Sequence, residues 1–272
     1  MPLRAGVVTM GQRPVVLVHG MFMTYRCWDA WVRRYSARGH EVVALPWPGR
    51  EGTVEELNRR HPDPHLAELG FEAVVAHHAE AIRALPVPPI VIGHSMGGLV
   101  TQPLLQRGLG AVGVAIDSAP PAGVFTPSLS LLRANWPVVN PMLPSSRPYR
   151  MSLPRFQYAF VNGMPFDVQR AVYDAQVVPE SLRVPRESRS KRHRIDFTRP
   201  HAPLLLTAGS SDHIIPPGLN RKNYEAYRRG SPSRVDFHEF PGRNHYGVLG
   251  GPNWEEVADF VVDWAERELA SG

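Results

Sequence analysis

Residues 93–98 read Gly93-His94-Ser95-Met96-Gly97-Gly98 and follow the apolar run Pro89-Ile90-Val91-Ile92. This is a G-x-S-x-G pattern at the end of a strand-like segment. In such a turn the strand enters a helix so sharply that the central serine hydroxyl is pushed out at the top of a sheet. Glycine at 93 and 97 leaves space that a Cβ would fill. A serine hydroxyl is a weak nucleophile until a base takes its proton. Of twelve histidines, His245 is the best base, because Gly242-Arg243-Asn244-His245-Tyr246-Gly247 lies between the last strand-like run and the last helical one. His19, His94, His213 and His238 also lie near strand ends. His94 is inside the turn and cannot fold back onto Ser95, and His213 reads as a loop residue. The orienting acid is Asp212, in Gly209-Ser210-Ser211-Asp212-His213, with Asp117 as the alternative because it also ends a strand after the turn. The chain order is therefore serine, acid, histidine, which suits nucleophilic acyl transfer on a parallel sheet.

The oxyanion of such a reaction needs backbone donors already aimed at it. The amide of Met96, directly after the serine, is one. The second is expected from His19-Gly20-Met21-Phe22, at the amide of Met21. An HGGG run is missing. Phe22, Met23 and Trp47 are expected to line an apolar substrate pocket, although core packing would use the same residue types.

These side chains need a scaffold that alternates strands and helices. Val15–Val18 is a short apolar run. Residues 25–38 put Trp28, Trp31, Val32 and Tyr35 on one helical face and stop at Gly39. Strands are expected at 41–45, at 90 up to the serine turn, and at 110–116, 204–208 and 235–240, with helices over 71–85 and from Met96 to near Gly108. Pro103 sits inside that last helix and is expected to strain it. Asn253 and Glu256 resemble a capping pair for a closing helix whose inner face carries Val257, Phe260, Val261 and Trp264. Strand–helix–strand order predicts an α/β fold: a mostly parallel, twisted sheet with helices on both faces. Between 122 and 199 the rhythm breaks into a proline-dense stretch with Phe156, Tyr158, Phe160 and Phe166 as apolar anchors. The expected organisation is a core of 1–121 and 200–272 with an inserted helical lid, 122–199.

A chain of 272 residues, 43% hydrophobic and 20% charged, can bury one large core. No apolar stretch nears the ~20 residues of a transmembrane span. Met1–Met10 has no secretory character, so a cytoplasmic location is expected. The single cysteine, Cys27, excludes an intrachain disulfide and reads as a packed thiol. The net charge is +5. Much of it sits between Arg183 and Arg199, which carries Arg183, Arg186, Arg189, Lys191, Arg192, Arg194 and Arg199 against Glu187 and Asp196. That stretch reads as a solvated loop, with an anion-recruiting or membrane-facing patch as the second reading. Aromatic residues do not interleave with its charges before Phe197, which argues against nucleic-acid stacking.

VLVHGMF at 16–22, PWPGREG at 46–52, VIGHSMGGLV at 91–100, AIDSAPPAGV at 115–124, LLLTAGSSDHIIP at 204–216 and FPGRNHYGVLG at 240–250 together resemble the α/β-hydrolase superfamily, in its lid-bearing esterase and lipase-like type. The likeness frames the chain from about 14 to 270. It implies an α/β-hydrolase fold and a serine hydrolase that cleaves a carboxylic ester, thioester or lactone through an acyl-enzyme on Ser95. The superfamily's dehalogenases and epoxide hydrolases use an aspartate nucleophile, which Ser95 argues against. The expected partner is a small molecule with an apolar acyl part, with no cofactor and no metal; oligomeric state is not legible. Because the fold also hosts lyases, cyclases and small-molecule receptors, a non-hydrolytic tailoring enzyme or receptor is the alternative. A binding protein acting through 183–199 is the third reading.

Overall fold

A computed structural model describes residues 13–140 and 142–271; the expectation about Met1–Met10 lies outside them. Six strands, β1 (Val15–Val18), β2 (Val42–Ala44), β3 (Ile90–His94), β4 (Val112–Ile116), β5 (Leu204–Gly209) and β6 (Val235–Phe240), form one sheet in the order β2-β1-β3-β4-β5-β6. Every pairing is parallel. The expected strands are thus found, shortened by a residue or two at 41–45 and 110–116. β1, β3, β4 and β5 are buried along their whole length, as strands covered on both faces must be.

The covering helices follow from alternation along the strands. Val15, Leu17, Ile90 and Ile92 pack on one side with Trp28 and with α1 (Asp29–Ala37), whose Trp31 and Tyr35 are fully buried. Val16, Val18 and Val91 face the other side. There they meet helices that follow α2 (Val54–Arg59) and α3 (Pro64–Glu68): α4 (Phe71–Arg83) and α5 (Met96–Gln106). α5 runs through Pro103 and stops before Gly108 at φ +72°. Cys27 is half-buried and packs against both clusters; burial pushes its thiol well up, as for a packed residue.

Residues 122–199 fold as short helices: α6 (Leu129–Ala134), α7 (Trp136–Val139), α8 (Leu153–Ala159), α9 (Phe166–Gln176) and α10 (Arg183–Glu187). Their apolar anchors, Phe156, Phe160, Tyr173 and Val184, join the cluster beneath the α4–α5 face. The chain closes with α11 (Pro217–Gly230) and α12 (Trp254–Ser271), and α12 buries Val257, Val261 and Trp264. Two expectations are corrected here. Asn253 lies at φ +57°, and the Glu256 carboxylate meets Arg243 at 2.9 Å rather than capping the helix. The 183–199 stretch is also not a uniformly solvated loop. Val184, Pro185, Ser188 and Ile195 are buried, and Arg186 donates to the carbonyls of Val138 and Asn140. Its guanidinium closes off carbonyls at the end of α7.

The strand order reverses between β1 and β3. Ligands of open parallel sheets bind at such a switch point, beyond the carboxyl ends of the strands. Gly20 and Ser95 leave the sheet there.

Candidate active site

Ser95 follows β3 at φ +58°, ψ −120°, a conformation that L side chains adopt only under external constraint. The constraints are visible. Its N–H donates to Ile116 O at 2.9 Å, and its carbonyl accepts from Ala119 N at 2.9 Å. A Cβ on Gly93 would lie 2.1 Å from Gly97 O, and one on Gly97 would lie 2.1 Å from Val18 O. Gly20 is equally confined, since its Cβ would fall 2.7 Å from that of Ser95. Backbone therefore packs on backbone where β1, β3 and α5 meet, and the serine side chain is the group left to project.

His245 sits in the loop after β6 and is fully buried. Its Nδ1 lies 2.6 Å from Asp212 Oδ2, while Asp117 Oδ2 is 3.9 Å away. Asp212 is fixed after β5 by two amides, Ile214 N and Ile215 N, each 2.8 Å from Oδ1. Asp117 ends β4 at φ +43° and accepts from Gly209 N at 2.6 Å; its Oδ2 has no hydrogen-bond partner among the described residues. Distance thus separates the two acids that the sequence left open. Burial is the main influence on all three groups: it pushes the His245 imidazole down and both carboxyls up, and repulsion from Asp212 adds to the rise at Asp117. A buried Asp212–His245 contact this short holds a single proton between its members. With that proton on the Nδ1 side, Nε2 carries a lone pair, and it has no hydrogen-bond partner among the described residues.

The four histidines that also lie near strand ends have settled places. His94 Nε2 contacts His245 O at 3.0 Å, and the two rings lie 4.5 Å apart. Thus the histidine inside the turn braces the loop of the other. His19 contacts Gly20 O at 2.8 Å and stacks on Trp47. His213 contacts Tyr158 O, and His238 stacks on Phe260 of α12. His94, Asp117 and His245 bring ligand-type atoms within 4.8 Å of one another, but the bonds described above already engage His94 Nε2 and His245 Nδ1.

Ser95 opens into a narrow pocket of about 60 Å³ whose wall includes Met21, Phe22, Met96, Phe160, Ile214 and Ile215. The Phe160 ring also lies 4.8 Å from that of His245. Met23 and Trp47, expected at this pocket, are instead buried in the core and do not form its wall; Trp47 is held in its stack on His19. Sequence reasoning missed Glu180. Its Oε2 accepts from Phe22 N at 3.3 Å, and Oε1 meets Arg50 Nη1 at 3.1 Å, with both side chains out of solvent. Phe22 stands at φ +66°, so a carboxylate 158 residues away in sequence holds a strained turn beside Met21. The Phe22 amide is thereby engaged, and Met21 shares the pocket wall with Ser95. No local signal marks Glu180, because its partners lie in two other segments.

The chain matches the model of the alpha/beta hydrolase family over residues 15–260. No match is found among curated proteins. Among solved structures, a monoacylglycerol lipase of Paleococcus ferrophilus is 23% identical with a TM-score of 0.65, covering 95% of this chain and 97% of its own. An extracellular alpha/beta-hydrolase from a Paenibacillus species is 19% identical with a TM-score of 0.68, covering 93% and 98%. Methylketone synthase I of tomato, solved with 2-tridecanone, is 16% identical with a TM-score of 0.67, covering 94% and 99%. These likenesses extend to the fold.

Proposed function

The chain belongs to the alpha/beta hydrolase family, and from that premise we propose that it hydrolyses a carboxylic ester through an acyl-enzyme on Ser95. One observation carries the reading: His245 Nδ1 is bonded to Asp212 at 2.6 Å while its Nε2 is unpartnered among the described residues, at the same end of the sheet as a serine forced to φ +58°.

In this scheme Ser95 Oγ attacks the ester carbonyl carbon and its proton passes to His245 Nε2. The amides of Met21 and Met96 receive the oxyanion. The C–O bond to the alcohol breaks, and the alcohol leaves with the proton from His245. Water then gives a proton to His245 and attacks the acyl carbon; the acyl C–Oγ bond breaks, Ser95 Oγ takes that proton from His245, and the acid leaves. Asp212 orients the imidazole and offsets its transient charge without taking its proton.

The segment 122–199 would act as the roof that sets substrate size. In support, Leu131, Asn135, Val138, Phe160 and Arg189 all belong to the wall of the Ser95 pocket. Apolar lining at Met21, Phe22, Ile214 and Ile215 favours an apolar group beside the scissile bond. Neighbours of the same fold are described as a lipase and as binding 2-tridecanone, which agrees in kind. A fluorophosphonate probe tests the reading directly. It is expected to label wild type on Ser95 and to leave Ser95→Ala unlabelled, and a p-nitrophenyl ester series of graded acyl length is expected to be turned over. A correctly folded wild type that takes no label and cleaves no ester would overturn the proposal and favour a non-hydrolytic use of the pocket.

A further inference from the structure

The 60 Å³ pocket at Ser95 is too small for a whole substrate. A second cavity of about 660 Å³ adjoins it, and Pro120, Leu131, Asn135 and Arg189 belong to the walls of both. The larger space has the size of a small-ligand site. Its lining is largely apolar, including Val124, Phe125, Leu129 and Leu132, three of which are exposed large side chains at 66%, 87% and 49%. Among the described residues, Arg189 is the one charged residue in the lining of either space. It differs from the two arginines of α10. Arg186 is committed to the carbonyls of Val138 and Asn140, and Arg183 reaches Glu68 O. The Arg189 side chain makes no hydrogen bond or ion pair among the described residues; its backbone N–H alone is bonded, to Arg186 O. An exposed, unpaired guanidinium where two apolar spaces meet, with no acidic residue among the described residues of either wall, has the chemistry to bind an oxyanion.

We propose that Arg189 recognises a carboxylate carried by the substrate, so that the preferred ester has an apolar acyl chain that enters the larger cavity and ends in a negative charge met by Arg189 in its wall. This rests on the reading of Ser95 as the nucleophile and names its substrate class. Arg189 would then set specificity without taking part in bond making: its planar fork can grip both carboxylate oxygens, while a neutral ester of equal length leaves it solvated and contributes nothing there.

The test compares kcat/KM for mono-p-nitrophenyl suberate, which ends in a carboxylate, with that for p-nitrophenyl octanoate, its neutral counterpart of equal chain length. The ratio is expected to exceed one in wild type. It should fall about tenfold or more in Arg189→Gln, as a charge-assisted hydrogen bond implies, and partly recover in Arg189→Lys. A ratio unchanged by Arg189→Gln, in protein with a wild-type circular dichroism spectrum, overturns the proposal. A binding arm works without turnover: monomethyl suberate titrated calorimetrically into Ser95→Ala and into Ser95→Ala/Arg189→Gln. Binding about tenfold weaker in the double variant supports the role of Arg189. Equal binding, or none in either, overturns it. Charge-dependent binding without hydrolysis of any ester would sink the hydrolase reading alone, and ester hydrolysis indifferent to residue 189 would sink this proposal alone.

Discussion

Replacing Ser95 by alanine removes a hydroxyl that the surrounding backbone holds in place, and the turn itself is built by Gly20, Gly93 and Gly97. Ester hydrolysis is therefore expected to fall about 10⁴- to 10⁶-fold in Ser95→Ala with the thermal midpoint nearly unchanged; near-wild-type turnover in protein free of contaminating esterase contradicts the role. His245→Ala belongs in the same range. The two acids differ by distance, 2.6 Å against 3.9 Å from His245 Nδ1. Asp212→Asn is expected to cost on the order of 10³–10⁴ in kcat, and Asp117→Asn less than about tenfold, since Asp117 chiefly receives the Gly209 amide. The reverse ranking would move the acid to β4. Single-turnover rates on one p-nitrophenyl ester decide between them.

Elements matter here through what they force into contact. α5 can approach β1 only because Gly97 has no side chain: a Cβ would stand 2.1 Å from Val18 O and 2.7 Å from His19 O. Gly97→Ala is expected to destabilise by about 3 kcal/mol or more, read as a lower urea midpoint; an unshifted midpoint would mean that the helix has slack. The Arg50–Glu180 pair joins the loop after β2 to the loop before α10, and both side chains are buried. Burial lifts the Glu180 carboxyl, while Arg50 and the Ser181 and Phe22 amides pull it back. Glu180→Ala strands a buried guanidinium and releases the Phe22 amide, so a loss of about 3–5 kcal/mol is expected, with Arg50→Met/Glu180→Leu recovering part of it. If the single and the double variant unfold at the same urea concentration, the pair is not what carries the cost.

The whole molecule responds to acid through its interior. Burial pulls His19, His78 and His94 below the ordinary imidazole value, His78 to about 4. Below pH ~6.5 the unfolded chain binds protons at these three positions that the folded chain refuses, so stability is complete above that pH and falls as pH drops towards 4. Asp117 and Glu180, raised by burial, take up protons at higher pH in the fold than in the unfolded chain and oppose the trend. The Asp212–His245 pair holds one proton in either state over this window and is neutral to it. Each imidazole that the fold keeps neutral contributes up to about 1.4 kcal/mol per pH unit below pH ~6. Urea midpoints at pH 7.5 and 5.5 check it, and His78→Asn is expected to flatten the dependence by about one proton. Equal midpoints at the two pH values would mean that these imidazoles are not held neutral.

Strand positions, their parallel order and the sharp turn at Ser95 were legible in the chain because each rests on local rules: buried parallel strands need continuous apolar runs, and a backbone crossing needs glycine where no Cβ fits. The loops bearing Asp212 and His245 were legible for the same reason, each following a recognisable strand. What the tertiary structure decided is which side chains face one another. Asp212 rather than Asp117 meets His245 because the Ile214 and Ile215 amides aim its carboxylate. Met23 and Trp47 share the composition of a pocket wall but point into the core, since apolar character says that a side chain leaves water and not which cavity it borders. Asn253 and Glu256 have capping spacing, yet Arg243 takes the carboxylate. Glu180 under Phe22, and Arg189 between two cavities, depend on segments brought together from across the chain, and neither periodicity nor motif records such a meeting.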